Sequence, residues 1–274
     1  MIILVLNSGS SSIKYKLFDI KEGSEKLLDK GLVERIGEKI PSHKEAIILI
    51  LNKVGSKIDA VGHRVVHGGD RFKESILIDA KVIKAIEDFT ELAPLHNPPS
   101  LVTINESRKM LPGIPHVAVF DTAFYYDMPE YAYFYAIPYR FYEKYKIRKY
   151  GFHGTSHRYV SRQASCILNR PFGELRLITC HLGNGCSMTA VKNGKAVDTS
   201  MGFTPLEGLV MGTRSGDLDP AIIPCIMEKE NIDVYEVMEI LNKKSGLLGV
   251  SGLSNDMREL IKERGRNKRA KLAL

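Results

Sequence analysis

The chain has 274 residues, of which 44% are hydrophobic and 26% are charged. This composition is typical of a globular protein and excludes intrinsic disorder or a fibrous repeat for most of the chain. No apolar run approaches the ~18 residues that a membrane-spanning helix needs, and the first residues lack the pattern of a secretion signal. We therefore expect a cytoplasmic protein of about two domains, with no membrane partner.

The positive charge is concentrated in one stretch. The formal net charge is +7, and residues 258–271 contribute +5 of it, from seven basic and two acidic residues. A basic helix end of this kind is most often a solvated face. We therefore expect no nucleic acid partner.

Strand and helix patterns alternate from the first residue onward. Ile2–Leu6 and Ile13–Phe18 have the pattern of two strands joined by a turn of small polar residues. Ser42 opens a capping-box sequence ahead of an apolar helix. A strand over Ala60–Val66 follows, and Asp79 is predicted to cap the next helix.

The strand–helix pattern continues to an acidic residue. A helix is predicted from Pro98 to Met110, followed by a strand over Val117–Phe120 that ends at Asp121. This alternation favours an α/β fold with mixed sheets. A carboxylate directly after an apolar strand lies where open α/β sheets contact their ligands, so Asp121 is a candidate site residue; a helix or turn cap is the alternative.

The second half of the sequence repeats the opening pattern. An aromatic stretch, 124–152, is typical of an aromatic core or a subunit interface. A helix over Ser156–Asn169 and a strand over Leu175–His181 follow. Asn7–Ser12 then aligns with His181–Cys186 at an offset of 174 residues, each turn between two strand patterns. The repeat indicates a duplicated α/β domain with two turns suited to phosphate. An ordinary hairpin turn is the alternative for each.

Two arginines have unusual neighbours. Arg64 ends a strand that enters a glycine turn, and Arg214 lies in a loop before a helix that Asp219 is predicted to cap, with Pro220 as its first residue. Arginine binds carboxylate or phosphoryl oxygens through two parallel donors. A purely structural ion pair is the alternative for each.

His153 and His157 are four residues apart, a spacing that could serve a metal on a helix. The intervening glycine and the capping signal at Thr155 and Ser156 place His153 in the loop instead. We therefore predict that His153 hydrogen-bonds a phosphoryl oxygen and that His157 is structural.

Together these motifs resemble the acetate kinase (acetokinase) family, within the actin, sugar-kinase and heat-shock ATPase superfamily. The resemblance implies duplicated ribonuclease H-like domains with mixed sheets flanked by helices and a cleft between them. It assigns 1–123 to the acyl substrate and phosphate and 124–274 to the nucleotide. The matching stretches are 7–14, 62–69, 93–98, 119–124, 150–157, 181–185 and 201–220.

The resemblance also implies an activity: Mg²⁺-dependent, reversible phosphoryl transfer from ATP to acetate by a homodimer. By that likeness the catalytic residues are Arg64, Asp121, His153 and Arg214, Arg64 also binds the acyl substrate, and Asn7 lies near the metal. The acetate methyl group is assigned to Val66, Leu95, Phe152 and Pro205. The nucleotide is assigned to Lys14, His181, Leu182, Gly183, Asn184, Gly185, Asp256, Met257 and Arg258.

Some features depart from the family pattern. Tyr125 stands where the family usually has a histidine, and the family continues past Leu274 with a glycine-rich adenosine motif. We therefore expect a truncated chain. Propionate kinase is one alternative function, and a non-catalytic homologue that binds a nucleotide or a partner is another.

Overall fold

The computed structural model describes residues 1–55, 57–90, 93 and 97–274. The chain divides into two compact units, Met1–Tyr126 and Asp127–Leu274, and each has its own sheet. The substrate and nucleotide roles assigned to 1–123 and 124–274 stay predictions. Among the described residues, every helix is too short or too polar to cross a bilayer.

In the described part of the first unit there are six strands and three α-helices, followed by a 3-10 turn at Asp121–Tyr125. In chain order these are β1 (Ile2–Ser8), β2 (Ser12–Lys21), β3 (Ser24–Glu34), α1 (His43–Val54), β4 (Ala60–Val65), β5 (Ile76–Leu77), α2 (Ala80–Asp88), α3 (Asn97–Met110) and β6 (His116–Phe120). The strands form one sheet in the order β3-β2-β1-β4-β6-β5. At its centre β1, β4 and β6 run parallel, and the other pairings are antiparallel. This mixed sheet confirms the predicted class.

Alternating apolar residues of β1 and β2 form much of the core of this unit. Leu4, Leu6 and Ile13 are each at most 1% exposed. They belong to one cluster with Ile47 and Ile50 of α1. The helix therefore lies on the sheet face to which these strand residues point.

Ser42 and Asp79 cap the two helices predicted to follow them. Ser42 Oγ accepts from Lys44 N at 3.1 Å and donates to the Glu45 carboxylate, so Ser42 caps α1 without the reciprocal main-chain bonds of the predicted capping box. Asp79 Oδ1 accepts from Val82 N at 2.8 Å and caps α2 as predicted.

Neighbouring aromatic rings require glycine at both positions, 68 and 69, of the turn after β4. A Cβ on Gly68 would lie 2.6 Å from the Phe120 ring, and one on Gly69, whose φ is +60°, would collide with the Phe89 ring. Glycine is the residue that fits both positions. The turn thus lets the end of β4 pack directly on the rings.

The second unit has a three-stranded antiparallel sheet in the order β7-β8-β9. Its elements in chain order are α4 (Glu130–Tyr133), α5 (Arg140–Tyr145), α6 (Gly154–Leu168), β7 (Arg176–Leu182), β8 (Cys186–Lys192), β9 (Lys195–Thr199), α7 (Ile222–Glu230), α8 (Val234–Glu239), α9 (Gly246–Ser251), α10 (Met257–Glu263) and α11 (Lys268–Ala273).

The opening hairpins of the two units match. Adding 174 to the bounds of β1 gives those of β7, and the first residue of β2 maps onto the first residue of β8. The registers differ by one residue, because Ser8 pairs with Ile13 whereas Leu182 pairs with Cys186. The second turn is therefore one residue shorter.

Three local predictions need correction. Helix α6 begins at Gly154, before the predicted Ser156. The helix predicted to start at Pro220 begins at Ile222, because Asp219 Oδ1 accepts from Ala221 N (2.9 Å) and caps a turn ahead of it. Strand β3 was missed because most of its side chains are exposed and its sequence lacks apolar alternation.

Candidate active site

Three candidate residues lie at the carboxyl ends of the three parallel strands. Asn7 is the next-to-last residue of β1, Arg64 is the next-to-last residue of β4, and Asp121 follows β6 directly. Asn7 is also the register partner of Arg64. Because these strands are neighbours, the sheet itself brings the three side chains together at the edge where α/β sheets hold ligands.

Arg64 is held by a carboxylate and an amide. Its Nε lies 3.1 and 3.2 Å from the two carboxylate oxygens of Asp121, and its Nη2 lies 2.6 Å from Oδ2. Its Nη1 donates to Asn7 Oδ1 at 3.1 Å. The Asp121 side chain is fully buried, whereas that of Arg64 is 31% exposed. This arrangement fixes the guanidinium plane while leaving part of it accessible.

The charge of Asp121 also shifts the pKa of Arg64. The buried carboxylate raises the pKa of the guanidinium above its usual value. Arg64 is therefore a permanent cation with a fixed orientation.

Other predicted residues of this unit are more dispersed. Val66 is buried directly after β4. Lys14 pairs with Asn7 across the β1–β2 hairpin and is exposed. Leu95 lies outside the described residues.

In the second unit, the small-residue turn lies against two candidate side chains. A Cβ on Gly185 would lie 3.2 Å from His153 Cε1 and 3.4 Å from Arg214 Nη1. Within the turn, Gly183 N donates to Gly185 O at 3.2 Å. Glycine at this point keeps the backbone close to both side chains, as an anion-binding turn requires.

Arg214 is held by neutral groups. Its Nη1 donates to Pro205 O at 3.1 Å and lies 4.0 Å from Met211 Sδ. Among the described residues, none of the identified ion pairs includes Arg214. Burial lowers the pKa of its guanidinium. A partly desolvated cation in such surroundings is suited to an anionic ligand.

The histidines form a connected group around Ser187. His153 has φ +58° directly before α6, and its Nδ1 lies 2.9 Å from Ser187 Oγ. Its ring stacks on His181 with centroids 4.0 Å apart. His157 is 1% exposed and lies 2.7 Å from both Ser187 Oγ and Thr179 Oγ1. His153 is thus in the loop as predicted, and the placement of His157 fits the structural role predicted for it.

The far side of the same turn reaches the start of α10, where Asp256, Met257 and Arg258 are predicted to contact the nucleotide. Asn184 Oδ1 accepts from Asn255 Nδ2 at 2.8 Å, and Asn184 O accepts from Gly212 N at 2.9 Å. A side chain on Gly212 would collide with Asn184 Oδ1. Asn255 directly precedes Asp256, so these contacts connect the turn to the start of α10.

Asp256 and Arg258 bind each other at that helix start. Asp256 Oδ1 accepts from Arg258 N at 2.8 Å, and Arg258 Nη2 donates to Asp256 Oδ2 at 2.6 Å. The bond to the Arg258 side chain lowers the pKa of Asp256 to about 2. Met257 and Leu182, also predicted to contact the nucleotide, are 47% and 76% exposed.

The proposed methyl-binding residues belong to different units. Val66 lies in the first unit, whereas Phe152, which is 1% exposed, and Pro205 lie in the second. That they line one pocket stays a prediction.

The donor groups that could hold a metal are few. Among the described residues, no three His, Cys, Asp or Glu side chains form a metal-binding group. Asn7, predicted to lie near a metal, accepts a hydrogen bond from Arg64.

Two contributors were missed from the sequence. Ser187 contacts His153 and His157, and Asn255 contacts Asn184. Ser187 directly follows the turn 181–186, and Asn255 directly precedes Asp256. Their position next to these motifs is the one sequence signal that points to them.

A family profile and a similar known protein both indicate the same family. The sequence profile of the acetokinase family matches residues 2–274. An acetate kinase of Thermotoga maritima is 59% identical over 289 aligned positions, covering 95% of this chain and 71% of that protein.

Solved structures of the same family also match the chain. A Porphyromonas gingivalis acetate kinase matches with a TM-score of 0.91 and 46% identity, covering 99% of this chain and 75% of the other. A Francisella tularensis propionate kinase matches with a TM-score of 0.92 and 47% identity, covering 99% and 76%. These matches confirm the predicted actin-like ATPase fold class.

Proposed function

The chain belongs to the acetokinase family, and we propose that it catalyses Mg²⁺-dependent, reversible transfer of the γ-phosphoryl group of ATP to acetate, giving acetyl phosphate and ADP. One observation carries the proposal: Arg64 and Arg214 are both oriented by fixed partners. Two positioned cations suit a reaction in which charge is spread over carboxylate and phosphoryl oxygens.

Arg64 is proposed to bind and orient the acetate carboxylate. Acetate is already ionised near pH 7, so the reaction needs no general base. One carboxylate oxygen forms a bond to the γ-phosphorus while the bond to the β,γ-bridging oxygen breaks, and that electron pair leaves with ADP. Asp121 acts by holding Arg64, because its oxygens accept the guanidinium N–H groups. Val66, Leu95, Phe152 and Pro205 are proposed to contact the methyl group.

Arg214 and His153 are proposed to stabilise the transferring phosphoryl group. Both lie against Gly185, where the backbone can approach phosphate oxygens closely. A guanidinium and an imidazole donor at this point would offset the charge on the equatorial oxygens.

The nucleotide is proposed to follow the turn toward α10. Lys14 and 181–185 are assigned to its phosphates, and 256–258 to the adenosine side. The hydrogen bond between Asn184 and Asn255 supports a continuous path from one set to the other.

Magnesium fits the oxygen donors of the first unit. Mg²⁺ prefers oxygen ligands and in kinases needs only one or two from the protein, the rest coming from phosphate and water. The Asn7 amide oxygen, at the carboxyl end of β1, is such a donor. When bound, the ion would neutralise phosphate charge.

We further propose that the enzyme is a cytoplasmic homodimer. The family resemblance supports this, and three exposed tyrosines of the aromatic stretch that lie in the second unit (Tyr131, Tyr139 and Tyr145) are compatible with an interface. Light scattering of the purified chain should give twice the 30.7 kDa of one copy. A monomer at micromolar concentration would contradict the dimer, and recovery of the native protein outside the cytoplasmic fraction would contradict the location.

Trapping of the acyl phosphate tests the activity. With ATP, Mg²⁺, acetate and hydroxylamine, the purified protein should form acetohydroxamate, and omission of acetate or ATP should abolish it. A folded protein that binds ATP and forms no hydroxamate would contradict the proposal and favour a non-catalytic homologue.

Propionate is the second candidate substrate, because a propionate kinase is among the similar structures. One methylene changes discrimination by only about 1–3 kcal/mol. Measurement of kcat/KM for both acids decides between them: a higher value for propionate would replace acetate as the substrate.

A further inference from the structure

Tyr135 and Glu207 form a hydrogen-bonded pair outside the predicted site residues. The Tyr135 hydroxyl donates to Glu207 Oε2 and accepts from Phe203 N at 2.7 Å. Lys149 Nζ lies 3.9 Å from Glu207 Oε1. Burial, and then the bond to Glu207, raises the pKa of Tyr135 well above its usual value. The phenol therefore keeps its proton, and the carboxylate remains the acceptor.

The pair occupies the space that a side chain at position 202 would need. A Cβ on Gly202 would collide with both Glu207 Oε2 and the Tyr135 hydroxyl. The pair thus packs directly on the main chain of Gly202. The Gly202 carbonyl in turn accepts from Tyr150 N at 3.0 Å and Gly151 N at 3.3 Å.

The hydrogen bond between Gly151 and Gly202 connects the pair to the segment that carries His153. Gly151 is two residues before His153, and its φ of +75° marks a sharp turn of the chain there. Movement of Gly202 would shift the segment from which the histidine projects. The left-handed conformation of His153 itself is one that surrounding contacts must maintain.

A second path leads to Arg214. Glu207 lies two residues after Pro205, whose carbonyl accepts from Arg214 Nη1. The next residue, Gly208, exchanges two bonds with Asp217: its N donates to Asp217 Oδ1 at 2.8 Å, and Asp217 N donates to Gly208 O at 2.9 Å. The loop around Arg214 is therefore held at two points. Glu207 bonds to Tyr135 at one point, and Gly208 bonds to Asp217 at the other.

We infer that Tyr135 and Glu207 are positioning residues that set His153 and Arg214 against the glycine turn at Gly185 for phosphoryl transfer. This inference rests on the proposed function. The pair acts through the main chain of 202–208, so its effect falls on the transferring phosphoryl group rather than on the adenosine side of the turn.

Four variants test the pair. Tyr135→Phe removes the hydroxyl, Glu207→Ala removes the acceptor, and Glu207→Gln keeps an oxygen that can still accept from the phenol. Tyr235→Phe and Glu230→Ala are matched controls, because both residues are exposed and neither is proposed to bind a ligand or a partner. The double variant Tyr135→Phe/Glu207→Ala completes a double-mutant cycle, which measures the coupling between the two side chains.

The expected result is a loss of kcat of about 10- to 100-fold for Tyr135→Phe and Glu207→Ala. Misplacing a catalytic side chain by about 1 Å can lower the rate by up to about 100-fold. The KM for ATP should change less than threefold, Glu207→Gln should recover most of the rate, and the double variant should lose no more than the worse single one. Folded variants with control-like kcat, or losses that multiply in the double variant, would overturn the inference.

A binding measurement separates this inference from the proposed function. Affinity for inorganic phosphate, measured by calorimetry, should fall in Tyr135→Phe and Glu207→Ala and remain unchanged in the controls. If the unmodified protein forms no hydroxamate but shows this pattern, the proposed function fails and the positioning role stands. Phosphate affinity equal to that of the controls would overturn the role whatever the activity.

Discussion

Arg64 and Arg214 are held by chemically different partners. Arg64, in the first unit, is bound through two donors by a fully buried carboxylate. Arg214, in the second unit, is bound by the Pro205 carbonyl and lies near a thioether. The same residue type thus has a raised pKa in one unit and a lowered pKa in the other. The charge of Arg64 is thus offset by a buried carboxylate of its own unit, whereas Arg214 is held by neutral groups.

The matching hairpins differ in a similar way. Leu4, Leu6 and Ser8 of β1 are 0%, 1% and 6% exposed. The positions 174 residues later in β7 are Ile178, at 71%, Cys180, which is exposed, and Leu182, at 76%. Strand β1 has neighbours on both sides, whereas β7 is an edge strand among the described residues. Burial is therefore set by the neighbours of a hairpin as well as by its own sequence.

Replacement of each arginine should give the largest effect and sharpen the first comparison. Arg64→Ala and Arg214→Ala should each lower kcat by about 10²–10³-fold, the cost of removing one fixed charge-stabilising donor. Their stabilities should differ, because Arg64→Ala leaves buried Asp121 without this cation and costs up to about 3 kcal/mol of the free energy of unfolding. Arg214→Ala should cost less than about 1 kcal/mol. Steady-state rates and urea unfolding measure both; equal stabilities would break the comparison.

Truncation in the two hairpins tests the difference in burial. Leu4→Ala should lower the free energy of unfolding by about 3 kcal/mol, because it leaves a cavity in a packed core. Ile178→Ala should cost less than about 1 kcal/mol, because that side chain is mostly exposed. Thermal unfolding followed by circular dichroism compares them. Similar losses would mean that β7 is covered in solution.

Asp121→Asn should have a smaller effect on rate than loss of either arginine. The amide keeps the shape of the carboxylate but removes the charge that holds Arg64 through two donors. We expect kcat to fall by about 10- to 100-fold through misplacement of Arg64. The pH dependence of kcat should keep its shape, because Asp121 is not proposed to transfer a proton. Loss of an ionisation from the profile would show that it does.

Acid should destabilise the first unit by the smallest of these amounts. His63 Nε2 lies 2.9 Å from His116 Nδ1, and burial lowers their pKa values to about 3 and about 4. The positive charge of Arg108 contributes to both shifts.

The unfolded chain therefore takes up protons at these histidines near pH 6.5, before the folded one does, and stability falls as the pH drops below that value. Between pH 7 and pH 6 the expected loss is about 1 kcal/mol. Urea unfolding at several pH values measures it, and His63→Leu should reduce the slope. A slope unchanged by this variant would contradict the assignment.

Local signals in the sequence predicted much of this architecture. The strand starts, the cap at Asp79 and the matched turns follow from patterns within a few residues of each other. Strand β3 has mostly exposed side chains, and its pairing with β2, not its own alternation, defines it. The helix after Pro220 starts late because Asp219 caps a turn first.

The site was predictable in its parts and less so in its contacts. Strand ends placed Arg64 and Asp121 as candidates, but their bond spans 57 positions and depends on β4 lying beside β6. The pair of Tyr135 and Glu207 spans 72 positions, and although Glu207 lies within the recognised stretch 201–220, no sequence pattern connects it to Tyr135. Such contacts are set by tertiary packing, which local periodicity does not encode.

The most direct test of the central claim is to follow the oxygen of acetate. With acetate labelled with ¹⁸O at both oxygens, ATP, Mg²⁺ and hydroxylamine, direct transfer makes acetyl phosphate whose bridging oxygen is labelled. Hydroxylamine then attacks the carbonyl carbon, and the phosphate that leaves retains that oxygen. The account predicts inorganic phosphate carrying one ¹⁸O, seen by its ³¹P isotope shift. Unlabelled phosphate released at the same rate with and without acetate would show hydrolysis by water and contradict it.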